Sequence, residues 1–132
     1  MKRKFDLLFE DVMKSFENTE KYSLFDKLHV IIPRFDSINK EQTEYVLRSN
    51  SVELVIDKES EEYGKDMWRI MLFAPEKDNE KAECILSDTF NEDIDVRELG
   101  TLIDLIIDGA CKKLNEKSQA YKDLNDLYTK IS

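Results

Sequence analysis

The sequence predicts an α+β fold: an N-terminal helix, an antiparallel sheet of about four to five strands, and two C-terminal helices or one long bent helix, in a single domain over residues 1–132. Three observations carry this expectation. Between Asp93 and Glu116 the polar residues Thr101, Asp104, Asp108, Lys112 and Asn115 recur every three or four positions, which makes one narrow stripe on a helix. Leu99, Leu102, Ile103, Leu105, Ile106, Ile107, Ala110, Cys111 and Leu114 fill the rest of its circumference. That is wider than the ~100° arc a helix resting on one surface buries, so this helix needs a sheet and further cover. Second, short apolar or alternating runs separated by turn residues fill the middle of the chain. Third, 41% hydrophobic and 37% charged residues, with only three Gly and two Pro in 132, mark a globular chain without internal linkers.

Taken in order, residues 4–17 place Phe5, Leu8, Phe9, Val12, Met13 and Phe16 on one helical face, with Asp6, Glu10, Lys14 and Glu17 opposite. Leu28–Phe35 is apolar and β-branched and reads as a buried strand that ends at Pro33. Thr43, Tyr45 and Leu47 alternate with polar neighbours and lead through Ser49-Asn50 into Ser51–Asp57, the pattern of a hairpin with Val52, Leu54 and Ile56 turned inward. Asp66–Ala74 is apolar on both faces, with Trp68, Ile70 and Leu72 on one and Met67, Met71 and Phe73 on the other, and so reads as a central strand. Ala82–Thr89 supplies one more strand, with Ala82, Cys84 and Leu86 sharing a face. Asp95 and Glu98 open the core helix as a variant capping box, and Lys112, Lys113 and Lys117 sit toward its negative end. From Ala120 the apolar set Tyr121, Leu124, Leu127, Tyr128 and Ile131 resumes helical spacing, and no Gly or Pro separates it from the core helix.

The net charge of −9 is unevenly spread: residues 51–110 hold 17 acids against 6 bases, residues 1–50 hold 9 against 9, and residues 111–132 hold 3 against 5. The acidity belongs to the middle of the chain. A field of that sign repels phosphate backbones and attracts basic surfaces. The start MKRKFDLLFED has acids inside its apolar positions, which does not suit a signal-peptide core, and no apolar run approaches membrane-spanning length. Cys84 and Cys111 lie in apolar patterns and are expected to be buried, reduced thiols, so a cytoplasmic location is expected. Abundant Lys, Asn and Ile fits an AT-rich coding genome, bacterial or viral.

Catalytic signatures are missing from the sequence. The single histidine, His29, falls inside an apolar run, and no nucleophile has a base at a recognisable spacing. Two cysteines 27 positions apart with one histidine make no zinc motif. Asn91, Asp93 and Asp95 alternate like the opening of an EF-hand, but Val96 stands where Gly is required and Leu102 where a bidentate Glu is required. No nucleotide-binding glycine loop and no HExxH occurs, and no cofactor is expected. Asp104 and Asp108 are one helical turn apart, so an enzyme reading would have to rest on that pair or on His29. The expected function is therefore non-catalytic: an acidic module that binds the basic surface of a partner protein, as inhibitor, adaptor or nucleic-acid mimic. The carboxylates expected to serve it are Glu59, Glu61, Glu62, Asp66, Asp88, Glu92, Asp93, Asp104 and Asp108. The alternative is a structural subunit or small chaperone that works through an apolar helix or sheet surface as an oligomer. Direct nucleic-acid binding is disfavoured because no basic stripe interleaves with aromatics.

Overall fold

The computed structural model describes residues 22–59 and 66–131; the helix expected over residues 4–17 lies outside them. Five strands form one antiparallel sheet in the order β1-β2-β3-β4-β5. They are β1 (Ser37–Ile38), β2 (Glu44–Ser49), β3 (Val52–Lys58), β4 (Met67–Ala74) and β5 (Glu83–Asn91). Helix α1 (Leu24–Ile31) precedes the sheet, and α2 (Val96–Lys113) and α3 (Gln119–Thr129) follow it. The α+β class and the antiparallel sheet are as the sequence predicts.

The period-two alternation of the strands sets an inner face against the helices. Tyr45, Ile56 and Ile70 stand in one cross-strand row, Leu47, Leu54 and Leu72 in the next, all buried. The β2–β3 hairpin turns as expected at Asn50, whose φ of 52° is the left-handed conformation that Asn tolerates, and Val52, Leu54 and Ile56 face inward. In β4, Trp68, Ile70 and Leu72 point into the core, while Met67, Met71 and Phe73 are half-buried on the outer face. β4 is interior, between β3 and β5, but the middle strand of the sheet is β3.

Three sequence expectations give way. Leu28–Phe35 is not a strand: Leu24–Ile31 is helical, and Ser23 caps it in a reciprocal box with Asp26. That box and the i, i+4, i+7 spacing of Leu24, Leu28 and Ile31 outweigh the β-branched composition. The helix ends where Ile32, restricted by Pro33, turns extended at φ −122°. In β5 the pairing shifts between Leu72 and Phe73, so Leu72 faces Leu86 while Phe73 faces Cys84. The extra residue, Ile85, turns inward beside Leu86, and Cys84 is left exposed with Ala82, so the three residues expected to share a face do not. Of the two alternatives left open for residues 94–131, the structure has the two helices. Ser118 Oγ accepts from Tyr121 N at 3.2 Å and starts α3 after Leu114 has left the helical region. Finally, α2 does not bury its whole apolar circumference: Leu105 is 55% exposed.

Helix α2 lies against β4 and β5, and α3 against β2 and β3. Gly109 brings α2 close to the sheet, because a Cβ there would stand 2.7 Å from Leu86 Cδ1. Helix α3 is fixed to the β2–β3 turn by Asp123, which is fully buried. Its carboxylate accepts from Ser51 N at 3.2 Å, Ser51 Oγ at 2.5 Å, Asn50 Nδ2 at 3.2 Å and Gln119 Nε2 at 3.0 Å. Burial alone would raise its pKa, but these hydrogen bonds outweigh it and hold the carboxyl below its usual range. Asp123→Ala is expected to cost about 3 kcal/mol in urea denaturation at neutral pH, because it strands buried donors. A depressed carboxyl stabilises the fold above its unfolded value of ~3.9 and loses that contribution as pH falls through the lower folded value. The gap between wild type and variant should therefore close in acid.

Candidate functional site

Three acids of the middle segment, Asp66, Glu92 and Asp93, meet where β4 begins and β5 ends. Asn91 Oδ1 accepts from Asp93 N at 3.1 Å and Ile94 N donates to Asn91 O at 3.0 Å, so the chain turns sharply after β5. Glu92 N donates to Asp66 O at 2.7 Å and carries the β4–β5 ladder to its last rung. Asp95 Oδ1 then caps α2 by accepting from Glu98 N at 2.7 Å. Asp66, Glu92 and Asp93 thereby line one cleft of about 340 Å³, closed on its other side by Tyr22, Ser23 and Lys27.

Lys27 is the one cation of this lining among the described residues. It is 5% exposed and donates to Ile94 O at 2.9 Å, so it braces α1 against the start of α2. Glu92 Oε1 accepts from Trp68 Nε1 at 3.3 Å. The negative potential at this end reaches the core: the Tyr45 hydroxyl is pushed up to about 12, first by burial and then by Asp26 and Glu92. Asp26, Asp95 and Glu98 also complement the positive ends of α1 and α2, so part of this acidity supports the helices themselves.

Of the nine carboxylates expected to meet a partner, the structure brings Asp66, Glu92 and Asp93 together and disperses the others. Glu59 lies 3.4 Å from Arg69 Nη1 in an ion pair on the outer face. Asp88 is exposed on β5, outside the cleft lining. Asp108 pairs with Lys112 at 3.5 Å. Asp104 is only 3% exposed and accepts from Tyr128 Oη at 3.1 Å, between α2 and α3. Glu61 and Glu62 lie outside the described residues. The sequence reading weighed Asn91 only as a calcium ligand and passed over Lys27. The Asn-x-Asp turn at 91–93 was a usable signal for the first; for the second, no local pattern marks a lysine whose acceptor is 67 positions away.

Nucleophilic chemistry has little to work with. Burial, then Asp108, raises the Cys111 thiol, which keeps it protonated and weakly nucleophilic. Cys84 Sγ donates to Leu86 O at 3.4 Å. His29 sits in the last turn of α1 with Nδ1 2.7 Å from Phe25 O and its ring between Phe25 and Phe35, at centroid distances of 4.1 and 5.8 Å. Among the described residues no group of three or more His, Cys, Asp or Glu is placed to hold a metal ion. No described helix is long and apolar enough to cross a membrane. At the far end of the sheet a cleft of about 560 Å³ is lined by Lys77, Lys113 and Lys117 together with Glu76 and Asp78, and Asp78 Oδ1 accepts from Gln119 N at 2.9 Å. Both charge signs meet at that end, whereas Asp66, Glu92 and Asp93 outnumber Lys27 among the described residues of the other cleft.

No family model, curated protein or solved structure matches the chain.

Replacing Asp26 and Glu92 together by Asn and Gln should lower the Tyr45 hydroxyl pKa from about 12 without returning it to 10.0, because burial is the larger cause. Ultraviolet titration of the late-ionising tyrosine, assigned with Tyr45→Phe, checks this.

Proposed function

We propose that this protein is a small acidic interaction module without catalytic activity, whose carboxylate-lined end receives the basic surface of a partner protein as an inhibitor or adaptor. The observation that carries the reading is the convergence of Asp66, Glu92 and Asp93 on one cleft, with Asp26 and Asp95 on the adjoining helix starts. Two carboxylates that share a rim hold an incoming ammonium or guanidinium better than the same charges dispersed. A partner that presents lysines or arginines in place of a nucleic acid's normal protein surface is one such case, the protein then standing in for a phosphate backbone.

A second reading, an oligomeric subunit or small chaperone, draws on the outer sheet face. Val46, Val55 and Met71 form a row there with Met67 and Phe73 beside it; Val46 and Val55 are buried, so the half-buried Met67, Met71 and Phe73 are what the face presents. Arg48–Glu53 at 2.9 Å and Arg69–Asp57 at 2.9 Å border that row on either side. Sedimentation that finds a strict monomer at high concentration would remove this second reading.

For the first, the probe is an oligolysine peptide. Binding should weaken steeply as salt rises from low ionic strength to ~0.15 M. The triple variant Asp66→Asn, Glu92→Gln, Asp93→Asn should lose most of the affinity, while Lys77→Gln with Lys117→Gln should not. Binding indifferent to salt and to the triple variant would overturn the proposal.

A further inference from the structure

The free edge of β5 adjoins the acidic cleft, and its backbone can be read group by group. Because Glu92 N donates to Asp66 O, residues 92, 90, 88 and 86 are the ones whose backbone groups face β4. Ser87, Thr89 and Asn91 therefore direct theirs outward, away from the sheet. Two side-chain contacts agree with that phase. Lys113 Nζ donates to Ile85 O at 3.1 Å, and Thr89 N donates to the neighbouring Asp88 Oδ1 at 2.8 Å. Asn91 O is already used by Ile94 N. Among the described residues no strand pairs with this edge. What it offers is both backbone groups of Ser87, the carbonyl of Thr89, the N–H of Asn91, and the N–H of Thr89 once the exposed Asp88 side chain turns away.

The charge along this edge selects the occupant. Asp88 and Glu92 are two rungs apart on the inner side of the strand, so a strand laid beside β5 with a cation at alternate positions would meet both. A second copy of the chain is the wrong partner electrostatically, since each copy carries a net −9. Lys113 closes the edge at Ile85, which limits the open stretch to Ser87–Asn91 and directs an occupant toward the cleft of Asp66, Glu92 and Asp93.

We propose that the protein binds an extended basic segment of its partner by strand addition to the Ser87–Asn91 edge of β5, with alternate lysines or arginines of that segment on Asp88 and Glu92. This rests on the acidic-module reading and specifies the form the basic partner takes at that end. Main-chain hydrogen bonds supply the affinity, and the alternation of charge supplies the selection.

The test uses a capped peptide that alternates lysine with threonine, the same peptide N-methylated at every second residue, and oligolysine as the charge-only control. Thr89→Pro removes an outward N–H and leaves the β4–β5 ladder intact, the setting in which an edge strand accepts proline. Thr89→Pro and N-methylation should each weaken the alternating peptide roughly tenfold or more, and bound peptide should slow hydrogen exchange at the Ser87 and Asn91 amides. The N-methylated peptide probes the unmodified protein, so the answer does not depend on how Thr89→Pro folds. If both modifications leave affinity unchanged while Glu92→Gln weakens it, the edge is not used and the acidic reading survives. If the alternating peptide fails to bind at low salt, both fail. Dimerisation of the unmodified protein that Thr89→Pro abolishes would make a second copy the occupant and overturn the proposal.

Discussion

Everything else in this molecule depends on how α2 is seated against β4 and β5. The helix crosses the sheet where the bulge turns both Ile85 and Leu86 toward it, and Gly109 supplies the room for Leu86. Leu99, Ile103, Ile107 and Ala110 are fully buried in that contact region and its flanks. A buried aliphatic side chain is worth ~1.5–3 kcal/mol, so this interface outweighs the exposed ion pairs, each worth ~0–1 kcal/mol. Once α2 lies along the strands, its N-terminus must fall beside the end of β5 and its lysine-bearing C-terminus beside the β4–β5 turn.

Much of the sheet was legible in the sequence because strand burial repeats every second residue and leaves a readable trace. The hairpin at Asn50 and the two faces of Met67–Ala74 could be read for that reason. Leu28–Phe35 could not, since its composition favours a strand and the deciding signal, the Ser23–Asp26 box, lies upstream of the apolar run. The bulge in β5 was also hidden: alternation places Cys84 with Leu86, and only the pairing partner, β4, reveals the residue that breaks the phase. The break between α2 and α3 carried a weak local mark in Asn115 and Ser118, the acceptor and cap that start the second helix.

The candidate site was half legible for a related reason. Composition located the acidic segment, but it could not say which carboxylates converge, because convergence requires the start of β4 to meet the end of β5. Asp104 shows the limit most clearly. Its place on the polar stripe of α2 made it look like a surface acid, yet α3 brings Tyr128 against it and it is buried. A helical stripe is polar for two different reasons, solvent or a buried hydrogen-bond partner, and one sequence does not separate them.

The same packing explains why the β5 edge is only partly closed. A long exposed edge invites uncontrolled pairing, and proteins commonly blunt it with lysines or charged side chains. Here Lys113 reaches the Ile85 carbonyl because it sits in the last turn of α2, directly beyond the bulge. Toward the other end α2 has its acidic N-terminus, so among the described residues no lysine caps Ser87 or Thr89, and Asp88 covers one N–H only. The net negative charge then does the remaining work. It repels a second copy through space while leaving the backbone groups open to a strand of opposite sign, so selectivity at this edge comes from the field around it and not from steric closure.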